Sequence, residues 1–247
     1  MGIYYNTAAV MEDVLCIFDA SNPKCYSGTG NIWSDALGRF SMTLAGTYTY
    51  NQNSAQSYFK FNPGTATLSN SFAEGIYIEE YAYGMSMELW YRSNASDTFS
   101  AYGRIVDMGD TSITLGSSSS YRLRCWVDKL ASGLTTYDRT SEVFKDGIGQ
   151  DGIWHHLVLA YAPNGTSAGV SVDGTLKLYI DGVLESSVTG TNYGKVNGGT
   201  QNGYDIVLGT GDGNDFRGDI AMFKMYGRAL HLEEVNRNYR ASRDRFK

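Results

Sequence analysis

The stretch that decides the fold of this chain is Phe216-Arg-Gly-Asp-Ile-Ala-Met-Phe-Lys-Met-Tyr-Gly-Arg-Ala-Leu230. Its mostly apolar part, residues 219–226, predicts the last strand of the chain. The segment that follows, residues 231–239, predicts a short amphipathic helix, because apolar side chains recur there at helical spacing: Leu232, Val235 and Tyr239. No Ser, Thr or Asp precedes this helix, so its N-terminal cap is predicted to be weak.

Before this closing segment, the chain consists of short apolar runs separated by Gly, Ser, Asn and Asp. This pattern is typical of strands and turns. Residues 86–92 alternate in polarity, which predicts a strand with two different faces. Residues 154–161 are apolar on both faces and predict a central strand. Residues 57–61 predict another strand, which is followed by Gly64 and by a turn rich in Ser and Asn. Asp181-Gly182, placed between two strand-like runs, predicts a tight hairpin.

These runs recur about every 8–12 residues, which favours an all-β fold, an antiparallel sandwich of two sheets with one short C-terminal helix. Composition agrees, because 29 Gly, three Pro and 13% aromatic residues are typical of strands and turns, and 42% hydrophobic residues suffice for a core. We predict three parts: an extended N-terminal arm at residues 1–13, one sandwich domain at residues 14–240 and a basic C-terminal tail at residues 241–247.

Net charge and cysteine content exclude several classes of protein. The net charge of -6 argues against a nucleic-acid partner, which requires a basic surface. Three scattered cysteines are too few for a disulfide framework or a structural zinc site. No apolar run is long enough to span a membrane. No basic residue precedes Lys24, so we expect no secretory signal and synthesis in the cytoplasm.

Four stretches, in this order and spacing, resemble the concanavalin A-like lectin/glucanase superfamily and, within it, the laminin-G-like domains: Ser86–Arg92, Trp154–Tyr161, Leu176–Val183, and Phe216–Leu230 with Glu233-Glu-Val235 and Tyr239. The resemblance extends over roughly residues 70–240 and implies a jelly-roll sandwich. His231 replaces the Ser or Thr that usually precedes the closing helix.

A fifth stretch resembles the N-terminal signature of laminin-G-like proteins in tailed bacteriophages, often cyanophages. It comprises Leu15-Cys-Ile-Phe-Asp19-Ala-Ser-Asn22-Pro23-Lys24, then Tyr26, Gly28, Gly30, Trp33 and Asp35. This resemblance implies a structural protein of the virion, made in the host cytoplasm, whose partners are the major capsid protein, other virion proteins and copies of itself. Because the chain lacks repeats and heptads, we favour a compact capsid decoration over a tail fibre.

Catalysis is not expected. A retaining glucanase needs two carboxylates about 5 Å apart, which on one strand requires acidic residues at i and i+2. The pairs Glu79-Glu80 and Glu233-Glu234 are adjacent, and Glu88 stands alone beside Trp90. His155 and His156 are adjacent on a predicted strand, so they face opposite sides and cannot bind one ligand together. If the chain is nevertheless a glycoside hydrolase, replacing Glu88 should abolish turnover of laminarin-like glucans.

The resemblance also suggests two kinds of binding chemistry without requiring a cofactor. Laminin-G-like domains sometimes hold one Ca²⁺ at a rim, and the candidate ligands here are Asp107, Asp110, Asp212 and Asp215. The alternative is that these residues only form turns. A host-glycan-binding lectin needs an exposed aromatic platform, for which the candidates are Trp33, Trp90 and Trp126.

Both ends of the chain are candidate docking segments for a partner. Ile3, Tyr4 and Tyr5 are costly to leave in water, so the arm either packs on a neighbour or frays. The last eleven residues carry five basic side chains and one acidic one, Asp244. Either they favour the C-terminus of the helix, or they dock onto an acidic partner through three arginines: Arg240, Arg243 and Arg245.

Overall fold

The computed structural model describes residues 9–53, 56–68, 84–97, 103–107, 111–115, 122–127, 129–130, 137–138, 142–164, 172–193, 206–209 and 215–247. The strands are β1 (Val14–Asp19), β2 (Ile32–Ser34), β3 (Ser41–Asn51), β4 (Tyr58–Leu68), β5 (Met85–Arg92), β6 (Gly103–Asp107), β7 (Thr111–Leu115), β8 (Leu123–Val127), β9 (Lys129–Leu130), β10 (Tyr137–Asp138), β11 (Glu142–Lys145), β12 (His155–Pro163), β13 (Val172–Ile180), β14 (Val183–Tyr193), β15 (Ile206–Leu208) and β16 (Gly218–Tyr226). The helix α1 (Leu232–Ser242) and a 3₁₀ turn (Arg243–Arg245) end the chain.

The strands form two antiparallel layers that share β4. The first layer runs β4–β16–β5–β12–β13–β14, with β1 pairing along the far end of β16, and the second runs β4–β15–β6–β7–β8–β11. The predicted antiparallel sandwich with one short C-terminal helix is therefore confirmed. The strand at 154–161 is central as expected, since β12 lies between β5 and β13. The hairpin at Asp181-Gly182 is also present, between β13 and β14.

Strand β4 is longer than the predicted strand at 57–61, because it continues through Gly64 to Leu68. The Ser- and Asn-rich turn predicted after Gly64 lies outside the described residues. Residues 59–61 pair with β16 in the first layer, and residues 66–68 pair with β15 in the second. Strand β3 pairs with β4 on both sides of the crossing and approaches it closely there. A Cβ on Gly64 would lie 2.6 Å from the backbone oxygen of Thr47, so glycine allows this approach.

Both faces of the first layer are buried. On β5, Met87, Leu89 and Tyr91 point into the core between the layers, as their alternation predicts. The opposite face, with Glu88 and Trp90, is also buried. It is covered by α1, whose Val235 packs in a second apolar cluster on this outer face, and by the C-terminal residues.

Helix α1 ends three residues later than the predicted helix at 231–239, and its start uses an unexpected cap. The backbone N–H of His231 donates to the carboxylate of Glu234 at 3.0 Å, and Arg228 holds that carboxylate with two hydrogen bonds of 2.7 Å. These contacts lower the pKa of Glu234 to about 2. The acid in the first turn therefore fixes the residue before the helix, while the N–H of Glu234 donates to the backbone oxygen of His231 at 3.0 Å.

The predicted boundaries at 13 and 240 differ from the structure at both ends. The N–H of Val10 donates to Oδ1 of Asn238 at 2.7 Å, and Val10 is buried, so the described residues that precede β1 belong to the fold. At the other end Phe246 is buried and stacks on Trp90 with ring centroids 4.1 Å apart. Apolar burial outweighs the basic character that suggested a tail. No helix in the described part of the chain is long and apolar enough to cross a membrane.

Candidate functional site

Two of the three tryptophans proposed as a glycan platform are core residues. Trp33 is fully buried between Phe18 and Phe59, with ring centroids 5.6 and 4.8 Å away. Trp90 lies under Phe246 and donates from Nε1 to Ser242 at 2.9 Å. Neither offers a free ring to a sugar, because Trp33 lies in the core between the layers and Trp90 lies beneath Phe246 on the outer face of the first layer. The side chain of Trp126 lies outside the described residues.

Asp107, one of the two described aspartates of the predicted calcium site, already has a cationic partner. The Arg104 guanidinium donates to its carboxylate at 2.5 Å, and the backbone of Arg104 pairs with that of Asp215 in an isolated β-bridge. A guanidinium on a carboxylate supplies the charge that a bound cation would otherwise supply. Asp110 and Asp212 lie outside the described residues, so the calcium hypothesis stays a prediction. The residues that the structure describes contain no group of three or more acidic, His or Cys side chains suited to a metal.

The residues predicted to dock a partner differ in their surroundings in the structure. Arg245 is an internal contact, since its guanidinium donates to both carboxylate oxygens of the fully buried Asp19 at 2.9 Å. Arg243 is exposed and lies over the ring of Tyr239 at 5.9 Å. Arg240 is exposed on α1. The three arm residues fall outside the described residues: Ile3, Tyr4 and Tyr5.

A buried ionic cluster that the sequence analysis did not predict lies between the first layer and α1. Both carboxylate oxygens of Glu88 are occupied. Oε1 accepts from Lys224 at 2.8 Å, and Oε2 accepts from Tyr226 at 3.0 Å and from Asn238 at 2.6 Å. The ring of His156 lies 3.2 Å from Oε1 but is poorly aligned for a hydrogen bond. We therefore assign the neutralising charge to Lys224.

The charges of Glu88 and Lys224 compensate each other inside the fold, so the pair has a structural role. Burial by itself would raise the pKa of Glu88, but Lys224 and then His156 lower it well below the ordinary range. Burial and the nearby carboxylate raise the pKa of Tyr226, which stays a neutral donor. Glu88 has no exposed surface, so in this structure it cannot reach a polysaccharide. The sequence signal for the cluster is one charged residue inside each of two strands, Glu88 in β5 and Lys224 in β16.

The adjacent histidines face opposite sides, as predicted, and His155 forms a second charged contact. Its Nδ1 lies 2.8 Å from Asp181 and its Nε2 lies 2.9 Å from Asp151. Burial opposes the charged form, but the two carboxylates outweigh it and raise the pKa of His155 above its ordinary value of 6.5. Asp181 also accepts the N–H of His156 at 2.9 Å. The contact therefore joins the start of β12 to the turn of the β13–β14 hairpin.

Replacing His155 with glutamine should reduce stability in a pH-dependent way. Because the folded-state pKa is raised, the stabilisation is fully present below about pH 6.5 and is lost as the pH rises through the folded value. We expect a loss of about 1–3 kcal/mol at about pH 5.5 and a much smaller loss near pH 9, measured by urea denaturation. His231→Gln, at the exposed start of α1, is the control and should follow the wild-type profile. A loss that is independent of pH would contradict the charged contact.

The remaining described candidate is the outward surface of α1, here called the α1 face. It lines a groove of about 460 Å³ with Leu232, Glu233, Asn236, Arg237 and Arg240. The two arginines and Glu233 are exposed, and 42% of Leu232 is accessible. The β13–β14 hairpin borders this face, because a Cβ on Gly182 would lie 2.9 Å from Oδ1 of Asn236. An apolar side chain beside unshielded charges is suited to contact with another macromolecule.

The sequence itself matches a family model. Residues 53–236 match the laminin-G model that is described as concanavalin A-like lectin/glucanases superfamily. The chain belongs to this superfamily. The match extends over well more than half of the chain, and the two-layer sandwich is the architecture expected of it. The predicted superfamily is thus confirmed, and this lectin/glucanase-like fold is one associated with carbohydrate binding. No curated protein matches this superfamily member by sequence.

Solved structures show the same architecture in other proteins. Domain 4 of AbnA, an extracellular arabinanase from Geobacillus stearothermophilus in complex with arabinotriose, aligns with a TM-score of 0.57 at 18% identity over 95% of this chain and 98% of that one. The binding domain of botulinum neurotoxin DC in complex with rat synaptotagmin II aligns with a TM-score of 0.60 at 13% identity. That alignment covers 93% of this chain and 51% of the toxin domain, so this superfamily member spans about half its length. At these identities the likeness concerns the fold alone.

Proposed function

We propose that this superfamily member is a non-enzymatic structural protein of a tailed-phage virion, carried on the outer surface of the capsid as a decoration. The observation that supports the proposal is the N-terminal stretch from Leu15 to Asp35, which resembles the signature of phage laminin-G-like proteins. The lectin-like sandwich then serves as an adhesive or bracing module that contacts capsid proteins and further copies.

The contacts of this stretch explain why its residues belong together. Asp35 accepts the N–H of Ile17 at 2.7 Å and so joins the end of the stretch to its beginning. Asp19 holds Arg245, and Trp33 fills the core. Gly28 has a positive φ of 96°, which favours glycine. The residues of this stretch are thus joined by contacts in the folded N-terminal part of the chain. This supports the use of their sequence pattern as evidence of a related architecture.

Removing residues 2–8 should lower the number of copies per particle if the arm holds this protein on its neighbours. The deletion stops before Val10, because Val10 is part of the fold and a longer deletion would damage α1 packing. The measurement is quantitative mass spectrometry of purified particles assembled with wild-type or shortened chain. A variant with residues 2–8 replaced by Gly and Ser keeps the length and should also be depleted. Unchanged copy numbers contradict the role of the arm, and absence of the wild-type chain from particles overturns the virion proposal.

A host-glycan-binding lectin, on a tail fibre or free, is the second candidate function. It is favoured by solved structures with this fold whose descriptions name carbohydrate ligands: arabinotriose for domain 4 of AbnA, and two ganglioside molecules for botulinum neurotoxin type C, which aligns with a TM-score of 0.59 at 14% identity over 93% of this chain and 51% of that one. A glycan array probed with the whole chain, with and without calcium, tests it. Specific binding to a defined glycan would support this candidate, and silence under both conditions rejects it.

A further inference from the structure

The charges on the α1 face are arranged so that two copies of this face, running in opposite directions, would attract each other. Glu233 lies near the beginning of the helix, whereas Arg237 and Arg240 lie toward its end. Among the contacts of the described residues, none of these three side chains has an ion-pair partner. An acidic partner would be attracted by the arginines but repelled by Glu233, and a basic partner would meet the reverse. Only a surface with both signs in reversed order satisfies the whole face.

We propose that the α1 face pairs with the α1 face of a second copy of this chain, with the two helices antiparallel. An antiparallel crossing centred between Asn236 and Arg237 places Glu233 of each copy opposite Arg240 of the other. The two residues are two helical turns apart, about 10.5 Å along the axis, so the two-fold axis generates two equivalent ion pairs. Leu232 then packs along the methylene stem of Arg240 of the second copy, which shields the ion pairs from water.

The adjoining hairpin extends the apolar part of this interface. Val183 and Leu184, just after the turn at Gly182, are 57% and 43% accessible. One helix face buries less than the roughly 800 Å² per partner of a stable interface, so we expect a weak dimer in free solution. Copies held side by side on one surface would have a high effective concentration, which favours the paired state. The inference goes beyond the virion proposal and does not depend on it.

The test is a charge swap followed by sedimentation velocity from micromolar to near-millimolar concentration. Glu233→Arg and Arg240→Glu each place like charges opposite one another twice, and each should weaken dimerisation about tenfold. The double variant Glu233→Arg/Arg240→Glu restores opposite charges across the two-fold axis and should restore dimerisation to near the wild-type level. Thermal melts of all variants show whether the chain remains folded.

Arg122→Glu is the matched control, because it reverses one arginine that pairs with Asp146, and neither residue lines the groove of the α1 face. It should leave dimerisation unchanged. A wild-type chain that stays monomeric over the whole range overturns the proposal. Single reversals without effect, a double swap that fails to restore pairing, or an equal loss in the control each overturn it as well. These outcomes are independent of whether the chain is found in particles, so failure here is distinguishable from failure of the virion proposal.

Discussion

Replacing Lys224 with methionine is expected to destabilise the folded chain by about 3–5 kcal/mol, because it leaves a fully buried carboxylate without its counter-charge. Lys224 donates to Glu88 at 2.8 Å, and both side chains are almost entirely inaccessible. Tyr226 and Asn238 would still donate to Glu88, but neutral donors do not replace an ammonium group in an environment of low polarity. The measurement is the free energy of unfolding in urea at neutral pH.

Two further variants make this experiment decisive. The double variant Lys224→Met/Glu88→Leu removes both charges and should be clearly more stable than Lys224→Met alone, since no unpaired charge remains. Lys177→Met, on the half-exposed surface of β13, is the matched control and should change stability by less than about 0.5 kcal/mol. If Lys224→Met cost under about 1 kcal/mol, Glu88 would have to be solvated, protonated, or neutralised by His156, whose Nε2 lies 3.2 Å from Oε1.

Replacing Arg245 with methionine is expected to cost about 2–4 kcal/mol, for a related reason. Asp19 is fully buried at the end of β1 and accepts two hydrogen bonds of 2.9 Å from the Arg245 guanidinium. The N–H of Ser21 also donates to Asp19 at 2.9 Å, which compensates part of the loss. Because Phe246 follows directly, the same variant should loosen the cover over Trp90 and increase amide hydrogen exchange in α1 and β5.

Arg243→Met is the control for this prediction, since Arg243 lies in the same 3₁₀ turn but is exposed. It should leave stability nearly unchanged, because its contact with Asp244 is 3.9 Å and solvated. Equal losses in the two variants would mean that the C-terminal segment is held by its backbone and by Phe246 alone. The ion pair with Asp19 would then have no measurable role.

The features predicted correctly are those that depend on neighbours in the chain. The alternation in 86–92 and the Asp181-Gly182 turn predict β5 and the β13–β14 hairpin, because strand periodicity and tight turns are determined within a few residues. The resemblance to the superfamily rests on such segments as well, and the family model confirms it. The virion role has no comparable support and remains a proposal.

The errors share one cause, which is that alternation separates two faces of a strand without showing what covers each face. Glu88 and Trp90 share the polar-looking face of β5, and from the sequence that face was expected to be available to a ligand. In the structure α1 and Phe246 cover it, so Trp90 offers no platform and Glu88 is inaccessible to a ligand. The predicted strand at 57–61 is too short for a related reason, since pairing with β3 on both sides of Gly64 extends β4 to Leu68.

By itself the sequence determined the strands, the hairpin, the closing helix and the two-layer class, because hydrophobic periodicity and turn residues act over short separations. Only the tertiary structure decided which charges meet. Lys224 and Glu88 are 136 positions apart, and Arg245 and Asp19 are 226 apart. Contacts at such separations depend on strand register and on how α1 packs against the sheet, and no local pattern specifies either. The same packing leaves one face of α1 exposed, and that face carries the interface proposed between two copies.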